Sequence, residues 1–288
     1  MILQESVSLA DGSRIPRLGL GTWLMDDAGA AAAVQTAVQL GYRLLDTAQA
    51  YGNERGVGEG VRACGVPRSQ LFIGSKIAAE CKTHDAAAAS IDITLEKMGL
   101  DYLDQMIIHS PQPWTEFGTE NRYFAENREV WRALEEAQAA GKVRVIGVSN
   151  FRQDDLESLL AGCRVRPMVN QILLHVGRTD AALLEYCRAQ KIAVEAYSPI
   201  AHGAAVQNPW IVQMAARYGV SAAQLCIRYV LQLGAVALPK ASGAAHLQSN
   251  AAVDFTISEE DMAALRQAQA VDYGEAGVFP VFSGKPLT

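Results

Sequence analysis

The chain has 288 residues, of which 50% are hydrophobic and 19% are charged, and its formal net charge is −6. This composition is typical of a folded protein with a sizeable core and excludes intrinsic disorder, while the modest acidic charge argues against nucleic-acid or anionic-membrane partners. No apolar stretch has transmembrane length, and the N-terminal residues lack the pattern of a signal peptide. We therefore expect a cytoplasmic protein without a membrane association.

The cysteines and histidines predict neither a disulfide framework nor a metal site. The 5 cysteines are scattered and never stand in Cys-x-x-Cys spacing, which indicates reduced thiols. The 5 histidines lack the spacing of helical metal ligands. We expect no bound metal.

A hairpin opens the chain, and strands then alternate with helices. The turn at Asp11–Gly12 predicts the hairpin. The apolar runs of strand length are Arg17–Trp23, Arg43–Asp46, Leu71–Lys76, Tyr102–His109, Val143–Ser149, Pro167–Leu173, Ile192–Ser198 and Ala235–Pro239. The helical stretches are Ala28–Leu40, Asn53–Ala63, Asp85–Gly99, Glu126–Ala140, Asp154–Leu160, Asp180–Gln190, Val212–Tyr218, Ala222–Leu233 and Ala244–Ala251.

This alternation predicts an α/β fold, a single (β/α)8 TIM barrel over residues 1–288 with an N-terminal β-hairpin and extra helices or loops near the C-terminus. The rival fold is a doubly wound dinucleotide-binding domain with a second domain. That rival needs a Gly-x-Gly-x-x-Gly turn after a strand. The nearest match, Gly56, Gly58 and Gly60, has the wrong spacing and lies in a helical stretch, so we reject it.

Polar residues end seven consecutive predicted strands, where a barrel places its reactive groups. They are Asp46, Lys76, His109, Ser149–Asn150, Asn170–Gln171, Tyr197–Ser198 and Lys240. A polar residue at a strand end is more often a cap or turn former than a catalyst, and barrel interiors also need polar residues. The pattern alone therefore leaves the structural and catalytic interpretations evenly balanced.

The chemistry of four residues favours catalysis. Lys76 follows an apolar run, so its ammonium is expected to be buried and to need an anion, for which Asp46 on the neighbouring strand is the natural candidate. A phenol beside that ammonium, Tyr51, is expected to have a lowered pKa. Together with His109, these residues would form a site that polarises a carbonyl and delivers a proton to it. No side chain supplies a hydride, so a reductase requires a nicotinamide cofactor.

The sequence resembles the aldo-keto reductases, and within them the bacterial diketogluconate-reductase-like members. The resemblance covers nearly the whole chain and combines two specific motifs, DTAQAYGNE and GVSNF. The matching stretches are GYRLLDTAQAYGNE (41–54), GSK (74–76), IIHSPQP (107–113), GKVRVIGVSNF (141–151), VNQ (169–171), EAYSP (195–199) and LPK (238–240).

The resemblance implies reduction of an aldehyde or ketone by NADPH, with NADH as the alternative cofactor. Tyr51 is implied as the general acid, tuned by Lys76 and Asp46, and His109 as the residue that orients the carbonyl. Trp23 and Trp114 are implied as substrate-pocket residues, although packing alone is the alternative role, more so for Trp114. The implied partner is a small carbonyl substrate, and a monomer is expected, with a dimer left open.

The cofactor residues are also carried over by position. Ser149, Asn150 and Gln171 are implied to hold the nicotinamide carboxamide, and Tyr197 to stack on the ring. Ser198 and Ile200 are implied to lie along the pyrophosphate, and Lys240 and Ser242 near the adenosine phosphate. The full implied set is Gly21, Thr22, Ser149, Asn150, Gln171, Tyr197, Ser198, Ile200, Lys240, Ser242, His246 and Asn250.

The segment after the last strand departs from the family pattern. In LPKASGAAHLQSN, Ala241, His246 and Ser249 replace the usual Ser, Arg and Glu. A neutral His lacks the fixed fork with which Arg binds phosphate, so weaker discrimination between NADPH and NADH is expected. Lys240 still favours NADPH. Ser110, after the catalytic His, replaces a bulkier residue and is expected to open the substrate pocket slightly.

Two other functions and two loops stay open at this point. The alternatives are a nicotinamide-binding sensor barrel with little turnover and a Schiff-base lyase that uses Lys76. The long segment 110–123 is expected to be a functional or lid-like loop. The tail 272–288 either folds over the pocket or packs on the side of the barrel.

Overall fold

The antiparallel hairpin predicted at the start of the chain is present in the structure, a computed structural model that describes residues 1–268. Strands β1 (Ser6–Ser8) and β2 (Arg14–Pro16) pair through Val7 and Ile15, on either side of the turn. The prediction for the tail 272–288 falls outside the described residues, and the single domain over 1–288 stays a prediction.

Eight short parallel strands pair in chain order and form a closed barrel. The bridges Leu18–Ala237 and Gly21–Lys240 join the first of these strands to the last, and the N–H of Gly21 donates to the carbonyl oxygen of Pro239 at 3.1 Å. The strands are β3 (Gly19–Gly21), β4 (Leu44–Asp46), β5 (Phe72–Ile77), β6 (Leu103–Ile108), β7 (Val143–Ser149), β8 (Val169–Leu173), β9 (Ala193–Tyr197) and β10 (Val236–Leu238). The predicted (β/α)8 barrel is confirmed.

Helices follow the barrel strands, with two after β9 and two after β10 in the described part of the chain. They are α1 (Asp27–Gln39), α2 (Glu54–Ala63), α3 (His84–Met98), α4 (Phe124–Ala139), α5 (Gln153–Leu160), α6 (Ala181–Ala189), α7 (Pro209–Arg217), α8 (Ala222–Gln232), α9 (Ala244–Ala251) and α10 (Glu259–Gln267). The extra helices near the C-terminus agree with the prediction.

Two helices differ from the sequence-based prediction by more than two residues at an end. Helix α7 begins at Pro209 rather than Val212, because the side chain of Asn208 accepts from two backbone N–H groups and Pro is favoured in a first helical turn. Helix α10 was not predicted. Its first turn is acidic, and its buried apolar side is short, so the apolar periodicity is weak.

The hairpin closes the N-terminal end of the barrel with apolar side chains. Leu9 and Ile15 pack with inward-facing strand residues, among them Leu44, Phe72 and Val169. Because side chains alternate between the two faces of a strand, the next inward layer lies nearer the C-terminal ends. That layer is polar and contains Asp46, Lys76, Gln105, Gln171 and Glu195.

Among residues 1–268, no helix is long and apolar enough to cross a membrane. The same residues contain no group of three or more side chains arranged to hold a metal ion. All 5 cysteines are free thiols, and Cys187 and Cys226 are buried.

Candidate active site

A cavity of about 290 Å³ opens at the C-terminal ends of the barrel strands. His109, directly after β6, lies on one side of it, and Lys240, beyond β10, lies on the other. These two strands are four apart in a ring of eight, so the cavity spans the barrel mouth. This is the position where barrel enzymes place their reactive groups.

Lys76 and Asp46 form a buried ion pair at the floor of the cavity. The Nζ atom of Lys76 donates to both carboxylate oxygens of Asp46 at 2.8 and 2.7 Å, and to the carbonyl oxygen of Thr47 at 2.8 Å. Burial opposes the charge, but Asp46 and Tyr51 outweigh it, so the pKa of Lys76 is raised. The predicted pairing is confirmed, and the ammonium stays charged at neutral pH.

The YGNE motif places Tyr51 above this ion pair. Tyr51 ends a short 3-10 helix after β4, and Gly52 follows with φ of 71°, a conformation that favours glycine. The side-chain amide of Asn53 donates to the carbonyl oxygens of Thr22 and Met25 at 2.8 and 3.0 Å, which fixes the turn. The hydroxyl of Tyr51 lies 3.4 Å from Nζ of Lys76.

The expected direction of the Tyr51 pKa shift is wrong. Burial raises the pKa of the phenol, and Lys76 lowers it by less, while Asp46 adds a further rise. The neighbouring ammonium alone would lower the pKa, but desolvation of the phenolate is the larger effect in this site. Tyr51 is therefore a protonated phenol at neutral pH.

His109 lies beside Tyr51 as a neutral imidazole. The two rings meet edge to face with centroids 5.7 Å apart. Burial, and then the charge of Lys76, hold the pKa of His109 well below its usual range. Its Nδ1 atom is buried and has no hydrogen-bond partner within residues 1–268.

The residues expected to hold the nicotinamide gather on the next three strands. The hydroxyl of Tyr197 donates to Oδ1 of Asn150 at 2.7 Å, and the Asn150 amide donates to Oγ of Ser149 at 3.1 Å. Asn150 has φ of 62°, and its amide also donates to the carbonyl oxygen of His109 at 3.0 Å. With Gln171, all of these residues line the cavity.

The remaining expected cofactor residues divide into two groups. Gly21, Ser198, Ile200 and Lys240 line the cavity. The structure does not bring the others into its lining. Thr22 lies behind it, where its hydroxyl donates to the carbonyl oxygen of Asp46 at 2.9 Å. Ser242 precedes α9, and His246 and Asn250 lie on it. Ser242 and His246 are exposed, whereas Asn250 is buried.

Both tryptophans expected in the substrate pocket line the cavity. Trp114 meets the His109 ring edge to face, with centroids 5.0 Å apart. It lies in the loop 110–123, which the side chain of Gln112 ties together by bonds to the backbone of Gly118 at 2.9 Å and Thr119 at 3.1 Å. Trp23 reaches the cavity from the segment after β3.

Several lining residues were missed by the sequence argument. His202 packs edge to face on Trp23, with ring centroids 5.4 Å apart, and it comes from the loop after β9. Ser198, Ala201 and His202 all have positive φ, a conformation that no sequence signal at these residues indicates. The others are Leu24, Pro199, Gly203 and Leu238. Glu195, buried just below the cavity, was also missed.

Comparison with known protein families agrees with this geometry. The model of the Aldo/keto reductase family matches residues 17–270. Glyoxal reductase of Bacillus subtilis (strain 168) is 38% identical over 262 residues, which cover 90% of this chain and 91% of the relative. The 9,11-endoperoxide prostaglandin H2 reductase of Trypanosoma cruzi (strain CL Brener) is 38% identical over 261 residues, covering 89% of this chain and 88% of the relative.

Solved structures show the same fold. An aldo/keto reductase from Brucella melitensis superposes with a TM-score of 0.84 at 34% identity, covering 92% of this chain and 99% of the other. The aldo-keto reductase AKR2E5, solved in complex with NADPH, superposes with a TM-score of 0.82 at 30% identity, covering 92% and 87%. Membership of the diketogluconate-reductase-like subgroup stays a prediction. The family itself is confirmed: the chain is an enzyme of the aldo/keto reductase family.

Proposed function

We propose that this enzyme reduces an aldehyde or ketone to an alcohol with NADPH, and that Tyr51 is the general acid. One observation carries the proposal: the ammonium of Lys76 lies between the carboxylate of Asp46 and the hydroxyl of Tyr51 at the barrel mouth. A charged, buried ammonium beside a protonated phenol is the arrangement that proton donation to a developing alkoxide requires.

The residues around the cavity fit a nicotinamide cofactor. Asn150 and Gln171 place amide groups at the cavity wall, and Tyr197 adds an aromatic ring. Lys240 lies at the far side of the cavity, where its ammonium is available to bind a phosphate of the cofactor. When bound, NADPH supplies the hydride that no side chain of the protein can supply.

The protein residues control the proton. The hydroxyl of Tyr51 donates its proton to the carbonyl oxygen as negative charge develops there. Lys76 then stabilises the phenolate that remains, and Asp46 keeps Lys76 charged despite its burial. The raised pKa of Tyr51 keeps the phenol protonated until a substrate accepts the proton.

His109 orients the substrate. We assign the imidazole proton to Nε2, because Nδ1 is buried without an acceptor within residues 1–268. A neutral imidazole donates a hydrogen bond without adding a second positive charge beside Lys76. Trp114, in contact with His109, and Trp23 then form apolar walls for the substrate.

Lys240 supports NADPH over NADH, and the structure of AKR2E5 in complex with NADPH supports the same choice. His246 is exposed in the first turn of α9, after Lys240. An imidazole there lacks the guanidinium fork with which Arg binds phosphate, which supports only moderate discrimination between the two cofactors.

A Schiff-base lyase is disfavoured. An amine nucleophile must lose its proton, yet the raised pKa of Lys76 and its three acceptor oxygens hold the ammonium form. We infer further that the enzyme is cytoplasmic. The free thiols support a reducing compartment.

The deciding experiment measures NADPH and NADH oxidation across aldehydes, ketones and keto-sugars, with glyoxal included because a relative is a glyoxal reductase. We expect carbonyl-dependent oxidation with a preference for NADPH. Cofactor binding, seen by tryptophan fluorescence, without oxidation across the panel would instead support a sensor. Trapping a substrate on Lys76 with borohydride would support the lyase.

A further inference from the structure

A second carboxylate, Glu195, lies beneath the cavity. It is 1% exposed, and it stands on β9 directly beside Gln171 of β8 in the strand register. Its carboxylate accepts from Nε2 of Gln171 at 2.7 Å and from Nε2 of Gln105, on the far side of the barrel interior, at 3.0 Å. Glu195 lines no part of the cavity, so it acts only through its neighbours.

The amide of Gln171 lies between two carboxylates. Its Nε2 atom donates to Glu195 and also to Oδ1 of Asp46, at 3.0 Å. The Asp46 carboxylate is paired with the Lys76 ammonium and only accepts hydrogen bonds, so its contact requires the NH₂ group of the amide, and the amide oxygen must point elsewhere. That oxygen makes no hydrogen bond within residues 1–268, and Gln171 lines the cavity.

We propose that Glu195 is a positioning residue that holds the Gln171 amide with its oxygen towards the cavity, where it accepts from the nicotinamide carboxamide of the cofactor. This rests on the proposed function. An amide is otherwise free to turn about its last bond, and only one of its two ends is an acceptor. Asp46 accepts one hydrogen of the NH₂ group, and Glu195 accepts the other.

The charges around Glu195 agree with this role. Across the barrel interior it faces Asp46 on β4 and Lys76 on β5, while β6, β8 and β10 present the uncharged Gln105, Gln171 and Val236. Burial, and then Asp46, raise the pKa of Glu195 to about 7, whereas the two amides and Lys76 lower it. The two amide NH₂ groups are hydrogen-bonded to this carboxyl group, and no cation contacts it within residues 1–268.

The test measures dissociation constants of NADPH and of its fragment 2′,5′-ADP, which lacks the nicotinamide. Glu195→Leu removes the acceptor, whereas Glu195→Gln keeps a carbonyl oxygen for Gln171. We expect Glu195→Leu to weaken NADPH about fivefold, the value of one hydrogen bond, and to leave 2′,5′-ADP unchanged. Glu195→Gln is expected to restore NADPH binding close to wild type.

Two outcomes would overturn the proposal: unchanged NADPH binding in Glu195→Leu, or equal weakening of NADPH and 2′,5′-ADP. Glu195→Met replaces the Leu variant if the latter does not fold. In a Gln171→Leu background the Glu195 substitution is expected to have no further effect, because its partner is gone. If the wild-type enzyme itself binds no NADPH, the proposed function fails, and that result is distinct from either outcome.

Discussion

Asp46 holds Lys76 with both carboxylate oxygens, and both side chains are almost completely buried. Lys76→Met is expected to leave Asp46 as an uncompensated buried charge and to lower the free energy of unfolding by about 3–5 kcal/mol. Denaturant unfolding measures this loss. The matched control is Lys142→Met, because Lys142 forms an exposed ion pair with Asp92, and there we expect a change below about 1 kcal/mol. Equal losses in the two variants would contradict a special role for burial.

Tyr51→Phe tests the source of the proton. The ring keeps its contact with His109, so we expect NADPH binding to stay near wild type. The hydroxyl beside Lys76 is lost, and kcat is expected to fall by about 10²–10⁴. Steady-state turnover and a cofactor titration measure the two quantities. Tyr186→Phe, on helix α6, is the control. If Tyr51→Phe turned over substrate as fast as Tyr186→Phe, Tyr51 would not be the general acid.

His246→Arg tests the phosphate end of the cofactor site. The side chain is exposed on the first turn of α9, the helix that follows Lys240, so a guanidinium there is accessible to a phosphate. We expect NADPH to bind about tenfold more tightly, because a charge-assisted hydrogen bond is gained, while NADH is unaffected. The ratio of the two dissociation constants is the measurement. Gln248→Arg adds the same charge to the same helix, and its ratio is expected to stay at the wild-type value.

Glu195 also predicts a pH dependence of stability. Its pKa is raised from 4.5 to about 7 in the folded protein. Between these values the folded protein holds a proton that the unfolded chain has released, so stability falls as the pH rises. Glu195→Gln removes the carboxyl group that takes up this proton. Relative to that variant, the wild type is expected to lose roughly 3 kcal/mol between about pH 4.5 and pH 7, and little more above. Urea unfolding at several pH values checks the slope, and parallel profiles would contradict it.

Gln112→Ala tests the loop 110–123. The Gln112 side chain bonds to the backbone of Gly118 and Thr119, and the loop carries Trp114 against His109. Loosening the loop is expected to raise KM for the carbonyl substrate severalfold, with the NADPH dissociation constant unchanged. Steady-state kinetics and a fluorescence titration separate the two. A rise in both constants would show that the loop also supports the cofactor site.

The positions of the four catalytic candidates were predictable because a parallel barrel brings its strand ends to one edge. Asp46 and Lys76 come from neighbouring strands, so burial of the lysine was enough to predict their contact. The pKa of Tyr51 was not predictable in the same way. Its direction depends on the degree of burial, which the folded surroundings decide, and not only on the nearest charge.

Glu195 and His202 show why other parts of the site were missed. Glu195 lies in the middle of an apolar strand, and its role depends on Gln105 and Gln171, which the register of separate strands brings to it. His202 reaches Trp23 through a left-handed backbone conformation at a non-glycine residue. Neither relationship follows from local sequence, because each depends on long-range geometry.

The closure of the barrel has a consequence for synthesis of the chain on the ribosome. Leu18 and Gly21, near the start of the described chain, bridge to Ala237 and Lys240, near its end. Until the residues of β10 emerge, β3 and β9 both present open edges with unpaired backbone groups, which can join the edges of other chains. The nascent protein therefore keeps two open sheet edges until its last barrel strand is made, and a chain that stops before Val236 never closes them.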